Sequence, residues 1–429
     1  PNEDVILKKL TQAGAKLLTG PRGCGKTTLM LKAFNKILGA KASKAFPIYV
    51  NFKSSLKLEP IYKKKANGGF WFSQWMYLKI IEGALKSLEF QKKSDVMPQE
   101  IKLVRKKLDL LELGEIDRSE LMSEEYTVSD LEFLIADVLI KINKSRCVIF
   151  LDDAAHAFSP EQQADFFEFF RKIKSTSISP KAAIYPGVTS FAPTFHVGHD
   201  AEEVDAWVNP EAADYLNFMK SLLEKRLPPV VFKVLESQAN LLNIVCFCSF
   251  GIPRQLLNMV RSFYQEDTAN TNSEVTFTVD FKKVTVLKQV KLAHESSLSV
   301  YLSLQKKIPT YSNYITEGEH VYNRILDSLK TYNKDKVESR KSFTIAIKKE
   351  IDSDLKKILG FFMYSGLVSY KDNVSKGDKG VFERYLINYA SMVDKNAVMA
   401  AKALNVSKLA TALGSKNAHD YNRVQADNL

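Results

Sequence analysis

The chain has few cysteines, no long apolar run and no visible secretory signal. Its 429 residues include four cysteines, all inside predicted core or loop segments, which is typical of reduced thiols and argues against a disulfide-stapled extracellular fold. The longest apolar stretch, residues 241–252, is interrupted by Asn243 and Ser249 and is shorter than the roughly 18 residues of a membrane-spanning helix. The chain starts at Pro1 and not at Met, which leaves a processed or truncated start open. We therefore expect a cytoplasmic protein without a membrane segment.

Net positive charge is almost absent from the first two thirds of the chain and is concentrated in the rest. Residues 1–280 hold 36 Lys and Arg against 34 Asp and Glu, whereas residues 281–429 hold 25 against 15. This asymmetry favours an anionic partner for the C-terminal part, nucleic acid first, although a lysine-rich solvated surface gives the same count. A chain of 429 residues predicts about two or three domains.

A complete phosphate-loop motif, G-x-x-x-x-G-K-[ST], lies near the start of the chain as Gly20-Pro21-Arg22-Gly23-Cys24-Gly25-Lys26-Thr27. The apolar run 15–19 precedes it and residues 28–34 continue with helical spacing, which is the strand–loop–helix context that the motif requires. Glycines let the backbone aim its N–H groups at a pyrophosphate, and the helix adds its positive N-terminal end. Lys26 is expected to reach the β- and γ-phosphates and Thr27 to ligate Mg²⁺. The motif predicts a nucleoside triphosphate site, with ATP and Mg²⁺ as cofactors, formed by Gly20, Pro21, Arg22, Gly23, Cys24, Gly25, Lys26, Thr27 and Thr28.

Two adjacent acids end an apolar run later in the chain. Residues 147–151 are all apolar, which predicts a buried parallel strand, and Asp152 and Asp153 follow at its carboxyl end. Ligands bind at that edge of a doubly wound sheet. Asp152 is therefore expected to hold the Mg²⁺, directly or through water, and Asp153 to polarise the attacking water.

Apolar periodicity predicts further elements along the first part of the chain. Strands are expected at residues 45–52 and 182–190, the second ending in Thr189 and Ser190. Helices are expected at residues 70–88, 131–142, 160–174, 212–227, 230–242 and 253–264. Ser129 or Asp130 is the expected N-cap of the helix at 131–142. The charged segment 91–127 is predicted to be a helical surface insertion.

The basic C-terminal region predicts helices near residues 283–305, 318–331 and 353–364. Two apolar segments, 366–370 and 382–388, then flank a polar, glycine-containing loop at 371–380. Helices followed by strand, loop and strand are typical of a winged helix, a common DNA-binding module, although a hairpin that packs against its own ATPase gives the same pattern. Residues beyond 393 are polar and alanine-rich and predict no particular element.

Four features occur in an order that resembles the AAA+ superfamily, in particular the origin-recognition-complex-like initiator clade and its STAND neighbours. They are the phosphate loop, the strand ending in two acids, the strand ending in two hydroxyls and the Gly-x-Pro-Arg sequence at 251–254, within roughly residues 5–265. The resemblance implies an α/β fold, a P-loop NTPase doubly wound parallel sheet with a helical lid, followed by a mostly helical, winged-helix-like C-terminal domain. The implied domains are an ATPase core at 1–210, a lid at 211–280, the basic winged-helix-like domain at 281–395 and a tail at 396–429.

The same resemblance implies roles for single residues. The implied catalytic residues are Asp153, Lys26, Thr189 and Arg254. The implied metal ligands are Thr27 and Asp152. Thr189, or Ser190 beside it, matches sensor 1, which orients water against the γ-phosphate. Arg254 matches sensor 2, whose planar and always charged guanidinium reaches the γ-phosphate from the lid.

Three departures from the AAA+ pattern affect the expected activity. Asp153 replaces the Glu that most AAA+ enzymes carry, and its shorter side chain predicts slow hydrolysis. The insertion at 91–127 makes the segment between the two nucleotide motifs longer than in compact AAA+ modules. No inter-subunit arginine finger stands out among Arg22, Arg171 and Arg226.

We expect an ATP-binding and slowly hydrolysing AAA+-type switch that couples its nucleotide state to DNA or to a partner protein. The lysine-rich composition and the insertion at 91–127 favour a bacterial defence or mobile-element system. The alternative is a nucleotide-gated, STAND-like sensor or scaffold with little turnover that docks a protein effector. The expected partners are DNA and either further copies of the chain or an effector protein, without a membrane. A small-molecule kinase is disfavoured because no separate acceptor pocket is indicated.

Overall fold

The computed structural model describes residues 2–40, 42–53, 68–97, 100–113, 125–154, 159–267, 276–400, 404–415, 420–426 and 429. By their internal contacts these residues form two compact units. The first unit comprises Pro1–Gly20 and Gly25–Ala206, and the second comprises Pro21–Cys24 and Trp207–Leu429.

The first unit is a parallel sheet with helices. Its strands are β1 (Lys16–Thr19), β2 (Ala45–Asn51), β3 (Arg146–Asp152), β4 (Ile178–Ala183) and β5 (Glu202–Asp205). Its helices are α1 (Asn2–Thr11), α2 (Lys26–Gly39), α3 (Gly68–Phe90), α4 (Glu100–Leu113), α5 (Val128–Lys141) and α6 (Pro160–Ile173). The strand order is β2-β3-β4-β1-β5, and every pairing is parallel. The predicted α/β class with a parallel P-loop sheet is confirmed.

Helices cover both faces of this sheet, which explains why its strands are apolar on both sides. Alternate residues of β2 and β3, such as Ile48 and Ile149, belong to one large core cluster that also contains the buried side of α3. On the opposite face Tyr49 of β2 meets Phe34 of α2, with ring centroids 6.2 Å apart. The period of two along each strand therefore supplies two separate cores.

The second unit is mostly helical. Its helices are α7 (Tyr215–Glu224), α8 (Pro229–Ser237), α9 (Ala239–Cys248), α10 (Pro253–Arg261), α11 (Lys283–Leu302), α12 (Leu304–Lys307), α13 (Ser312–Asn333), α14 (Ser353–Ser365), α15 (Tyr389–Asp394) and α16 (Val406–Gly414). Its strands are β6 (Tyr264–Asp267), β7 (Thr276–Val279), β8 (Thr344–Lys348), β9 (Val368–Ser375), β10 (Val381–Ile387) and β11 (Asn422–Arg423). One sheet has the order β11-β8-β10-β9, and β6 pairs with β7 in a separate hairpin. The predicted helical C-terminal region is confirmed at this level.

Two predicted helices end earlier than expected. The helix expected at 230–242 breaks at Gln238, and α8 and α9 meet there at 102°. Within the described residues no single helix is long and apolar enough to cross a membrane, although α8 and α9 together pass that test by length and composition. The helix expected at 253–264 ends at Arg261, because Tyr264 already pairs with Val279 in the β6–β7 hairpin.

The N-cap predicted for α5 is wrong. Thr127 caps this helix, and its hydroxyl accepts a hydrogen bond from the backbone N–H of Asp130. The Asp130 carboxylate accepts the Thr127 backbone N–H in return, at 2.7 Å. Asp130 is thus the third helical residue of a capping box, a pattern visible in the sequence as Thr-x-x-Asp.

The strand expected at 182–190 is shifted. The strand β4 ends at Ala183, so Thr189 and Ser190 lie beyond it in a turn. Gly187 at φ 69° closes this turn after Pro186, and neither residue continues a parallel strand. The two hydroxyls therefore come from a loop and not from a strand end.

The C-terminal sheet is larger than predicted. β8 was not expected, and β9 runs on to Ser375, so Lys371 lies in a strand and not in the loop at 371–380. The segment beyond 393 contains α16, which packs against α9, and β11, which pairs with β8 in parallel. Within the segment predicted as a helical insertion, α4 covers Glu100–Leu113, whereas residues 98–99 and 114–124 lie outside the described part of the chain.

Candidate functional site

The phosphate loop begins at the carboxyl end of β1 and ends at the start of α2. Gly25 occupies the N-cap of α2 in the left-handed region, at φ 101°, where a residue with a Cβ is strained. Lys26 is 5% exposed, and its ammonium donates a hydrogen bond to the Gly20 carbonyl at 2.7 Å. The same ammonium lies 3.7 Å from the centroid of the Tyr185 ring. The loop therefore holds a buried cation against its own backbone.

Thr27 and Asp152 meet at the carboxyl edge of the sheet. Asp152 ends β3 and is 1% exposed, and the Thr27 side chain is hydrogen-bonded to its carboxylate. Tyr49 of β2 donates its hydroxyl hydrogen to the Asp152 carboxylate at 2.8 Å. Burial raises the pKa of Tyr49 above its ordinary value, so this phenol stays a neutral donor. Burial, followed by the charge of Asp153, raises the pKa of Asp152.

These oxygen atoms suit Mg²⁺. A carboxylate and a hydroxyl are hard ligands, and Mg²⁺ is usually held by one or two protein oxygens together with water and phosphate oxygens. The raised pKa of Asp152 means that its negative charge is not fully compensated by the protein, which a cation would correct. Among the described residues no group of three or more His, Cys, Asp or Glu side chains could hold a metal ion by itself. Thr27 and Asp152 therefore fit the magnesium ion of a metal–nucleotide complex.

Asp153 has an unusual backbone conformation for a residue with a side chain. Its φ is 61°, in the left-handed region, and it is buried. Its backbone N–H donates to the Asp152 carboxylate at 3.0 Å, and Lys53 Nζ lies 3.6 Å from its Oδ2. Strained backbone of this kind is concentrated at functional sites. The second acid is thus held beside the first and carries a lysine partner whose side chain is 74% exposed.

The hydroxyl of Thr189 belongs to its own turn. It accepts the backbone N–H of Tyr185 and donates to the Tyr185 carbonyl, both at 2.9 Å. The neighbouring Ser190 donates its backbone N–H to Gln163 at 2.7 Å. Because the Tyr185 ring contacts the Lys26 ammonium, Thr189 fixes the residue that lies against the phosphate-loop lysine.

The middle of the phosphate loop, Pro21–Cys24, packs with the second unit. The Arg22 backbone N–H donates to the carbonyl of Tyr364 in α14 at 3.0 Å. A Cβ on Gly23 would lie 3.2 Å from Cγ2 of Ile252 and 3.3 Å from the Cβ of Arg254. The Arg254 backbone N–H lies 3.5 Å from the Gly23 carbonyl. Gly23 is therefore a point of close approach between the loop and the start of α10.

The remaining predicted residues have separate surroundings. Cys24 is buried, and its backbone N–H donates to the Pro21 carbonyl at 3.4 Å. Thr28 is exposed on α2. Of the arginine-finger candidates, Arg171 forms an ion pair with Glu168 at 3.0 Å on α6.

Sequence reasoning missed three side chains of the first unit: Tyr49, Lys53 and Tyr185. Lys53 and Tyr185 lie just beyond the carboxyl ends of β2 and β4, and Tyr49 lies two residues before the end of β2. This position near the carboxyl edge of the sheet is the signal that could have found them. The structure brings Lys26, Thr27 and both acids to that edge of the sheet. It places Arg254 against the phosphate loop within the second unit.

A strand, glycine-rich loop and helix, with a second parallel strand of the same sheet that ends in a buried acid, define a P-loop nucleotide-binding fold. In fold the chain is similar to a Walker-type ATPase of Pyrococcus abyssi, with a TM-score of 0.44 and 12% identity over 92% of this chain and 94% of that one. It is also similar to the Aeropyrum pernix ORC1 protein in complex with DNA, with a TM-score of 0.32 and 12% identity over 92% of each chain. A third similarity is to Drosophila ORC bound to DNA, with a TM-score of 0.29 and 12% identity over 91% of each chain.

No protein-family profile matches this chain, and no curated protein does. At 12% identity the three similarities concern the fold alone. At this identity, what those proteins bind is a property of those proteins. The residues of the present chain carry the functional proposal.

Proposed function

We propose that the chain binds ATP with Mg²⁺ at the phosphate loop and hydrolyses it slowly, as a nucleotide-dependent switch. The observation that carries the proposal is the convergence of Lys26, Thr27 and Asp152 at one edge of the sheet. A buried ammonium and a hydroxyl at the end of a glycine-rich loop, together with a buried carboxylate at the end of a strand, are the groups that a metal–triphosphate complex requires.

Each residue has a proposed role in the reaction. Lys26 leaves the Gly20 carbonyl and neutralises charge on the β- and γ-phosphates. Thr27 and Asp152 hold Mg²⁺, which supplies Lewis-acid stabilisation of the phosphate oxygens when bound. Asp153 orients the attacking water, and Arg254 contacts the terminal phosphate, because it already lies against Gly23 of the loop.

The surroundings of Asp153 favour low turnover. Its side chain is one methylene shorter than that of Glu, and Lys53 lies 3.6 Å from its carboxylate. Both features reduce its ability to act on a water molecule. This observation supports the alternative function, a STAND-like sensor or scaffold that docks a protein effector and uses ATP as a structural ligand.

For the basic C-terminal region we propose DNA binding through a winged-helix-like module. The succession β8, α14, β9 and β10 and the excess of positive charge after residue 281 support it. In α14 Ile358–Phe362 are all buried, so only its first turn is available to a duplex. Lys376 and Lys379 are exposed at the tip of the β9–β10 hairpin, which makes this tip the better candidate for phosphate contacts.

Lys26→Ala in the full chain tests the nucleotide site, with Lys36→Ala as the matched control because Lys36 is an exposed lysine on the same helix. ATP affinity and phosphate release should fall by at least about a hundredfold in the first variant, as expected for loss of a phosphate clamp, and stay unchanged in the second. Unchanged turnover in Lys26→Ala would contradict the site.

DNA-binding measurements on the same proteins distinguish the DNA switch from the scaffold that docks a protein effector. Duplex DNA affinity should be measured at two salt concentrations with ATP and with ADP, because phosphate contacts weaken steeply with salt. Nucleotide-dependent retardation of DNA supports the DNA switch. Tight ATP binding with neither turnover nor DNA retardation supports the scaffold with a protein effector.

A further inference from the structure

A tyrosine ring lies against the phosphate-loop lysine in the first unit. The Lys26 ammonium is 3.7 Å from the centroid of the Tyr185 ring, and a cation is attracted to an aromatic face within about 6 Å of its centroid. Both residues are buried, so water screens this attraction little. A desolvated cation–π pair is stronger than one at the surface. The ring is therefore a substantial partner of the cation that the proposed reaction requires.

The backbone around Tyr185 is fixed on both sides. Before it, the Ile184 N–H donates to the Leu18 carbonyl at 2.9 Å, which continues the pairing of β4 with β1 beyond the strand end. After it, the Thr189 hydroxyl accepts the Tyr185 N–H and donates to the Tyr185 carbonyl, both at 2.9 Å. At residue 185 these bonds use only the backbone, so another side chain there would keep them. The sheet and the turn, and not the lysine, determine where the ring lies.

The other contact of the Lys26 ammonium does not last through the proposed reaction. The ammonium donates to the Gly20 carbonyl at 2.7 Å, and it leaves this carbonyl for the phosphates when ATP binds. A lysine side chain has many rotamers, and holding it in place beforehand lowers the entropy cost of binding. An ammonium has three N–H donors, so contact with one ring face leaves donors for phosphate oxygens. The ring can therefore support Lys26 both before and after ATP binds.

We propose that Tyr185 is a positioning residue of the nucleotide site, whose ring holds the Lys26 ammonium in place as it moves from Gly20 to the phosphates. This inference rests on the proposed ATP binding and adds to that site a residue outside both nucleotide motifs. Because the ring acts through Lys26, its effect on ATP requires Lys26. Phenylalanine would keep the ring face, whereas leucine would fill part of the space without attracting the cation.

The test compares Tyr185→Leu with Tyr185→Phe in the full chain. Tyr77→Leu is the matched control, because Tyr77 of α3 is also 8% exposed and packs against Phe169 with ring centroids 5.5 Å apart. Calorimetry measures ATP binding with Mg²⁺. Denaturant unfolding without nucleotide, followed by circular dichroism, checks folding and compares Tyr185→Leu in the wild-type and Lys26→Ala chains. Tyr185→Met replaces Tyr185→Leu if the leucine variant does not fold, since methionine fills irregular space.

Tyr185→Leu should weaken ATP binding about 10- to 30-fold, as expected for loss of a desolvated cation–π pair, and Tyr185→Phe should stay within about twofold of wild type. Tyr77→Leu should leave ATP affinity unchanged. Without nucleotide, Tyr185→Leu should lower the unfolding midpoint more in the wild-type chain than in Lys26→Ala, because only the former has the ring–ammonium contact.

Unchanged or tighter ATP binding by Tyr185→Leu, or an equal loss in Tyr77→Leu, overturns the positioning role while the wild-type chain still binds ATP. A wild-type chain that does not bind ATP would instead contradict the proposed function. In that case the unfolding midpoints still decide whether the ring holds the ammonium, and equal shifts in the wild-type and Lys26→Ala chains would show that it does not.

Discussion

Alanine at Gly23 and at Gly25 provides a matched pair of perturbations in the phosphate loop. Both glycines have left-handed backbone, at φ 91° and φ 101°, so an added Cβ costs roughly 1–2 kcal/mol of backbone strain at either position. The space around the new methyl group differs. At Gly25 no atom lies within 4 Å, whereas at Gly23 the methyl would lie 3.2 Å from Ile252 and 3.3 Å from Arg254.

Contacts of 3.2–3.3 Å between carbon atoms are shorter than the optimum of about 3.5–4.0 Å, so the neighbours of Gly23 must move. Overpacking of this kind costs typically about 1–3 kcal/mol, which adds to the strain. We expect Gly25→Ala to lower the free energy of unfolding by about 1–2 kcal/mol and Gly23→Ala to lower it by about 2–5 kcal/mol.

Denaturant unfolding without nucleotide, followed by circular dichroism, measures both values. Gly23 belongs to the second unit and Gly25 to the first, so separate transitions, if resolved, should respond separately. Equal destabilisation by the two variants, or a larger effect at Gly25, would refute the close packing of the loop against Ile252 and Arg254.

Three further results are expected. Asp152→Ala should lose Mg²⁺-dependent nucleotide binding, whereas Asp153→Asn should keep ATP bound and stop its hydrolysis; wild-type turnover in Asp153→Asn would exclude that acid from the reaction. Because burial raises the pKa of Asp152, its contribution to the stability of the nucleotide-free protein is present below its unfolded pKa and is lost as pH rises through the folded value. Unfolding midpoints measured just above the ordinary pKa of aspartate should therefore depend less on pH in Asp152→Asn than in wild type. Lys371→Glu should lower stability by about 2 kcal/mol, less than a fully buried pair would lose, because its ammonium pairs with Glu211 at 2.6 Å. Lys379→Glu, at an exposed site, is the control: it should leave stability unchanged and only weaken DNA retardation. A Lys371→Glu protein as stable as wild type would contradict the ion pair.

The parts of the site that lie in one stretch of sequence could be predicted. The strand, the glycines and the helix of the phosphate loop follow one another within a few positions. The apolar run before Asp152 predicts a buried strand even when the strands beside it are unknown. Their local spacing determines their structure, because backbone geometry and burial act over neighbouring residues there.

The parts that depend on distant residues could not be predicted. Tyr185 meets Lys26 only because β4 lies beside β1 in the sheet. The placement of Thr189 required a choice between strand and turn, and the Pro-Gly pair before it favoured the turn that forms. Lys371 looked like a loop lysine, but it lies within β9, where the register with β10 shifts between Tyr370 and Asp372.

The hydrogen bond between Arg22 and Tyr364 has a consequence for the order in which the chain matures. Tyr364 leaves the ribosome long after Arg22, by about 20–70 s at synthesis rates of about 5–20 residues per second. During that interval β1 and α2 can pair with their neighbours, but the four residues Pro21–Cys24 lack the partners with which they pack. The nascent sheet therefore exists for a time with an unfinished phosphate loop. Until α14 has been synthesised, the loop lacks the hydrogen bond between Arg22 and Tyr364.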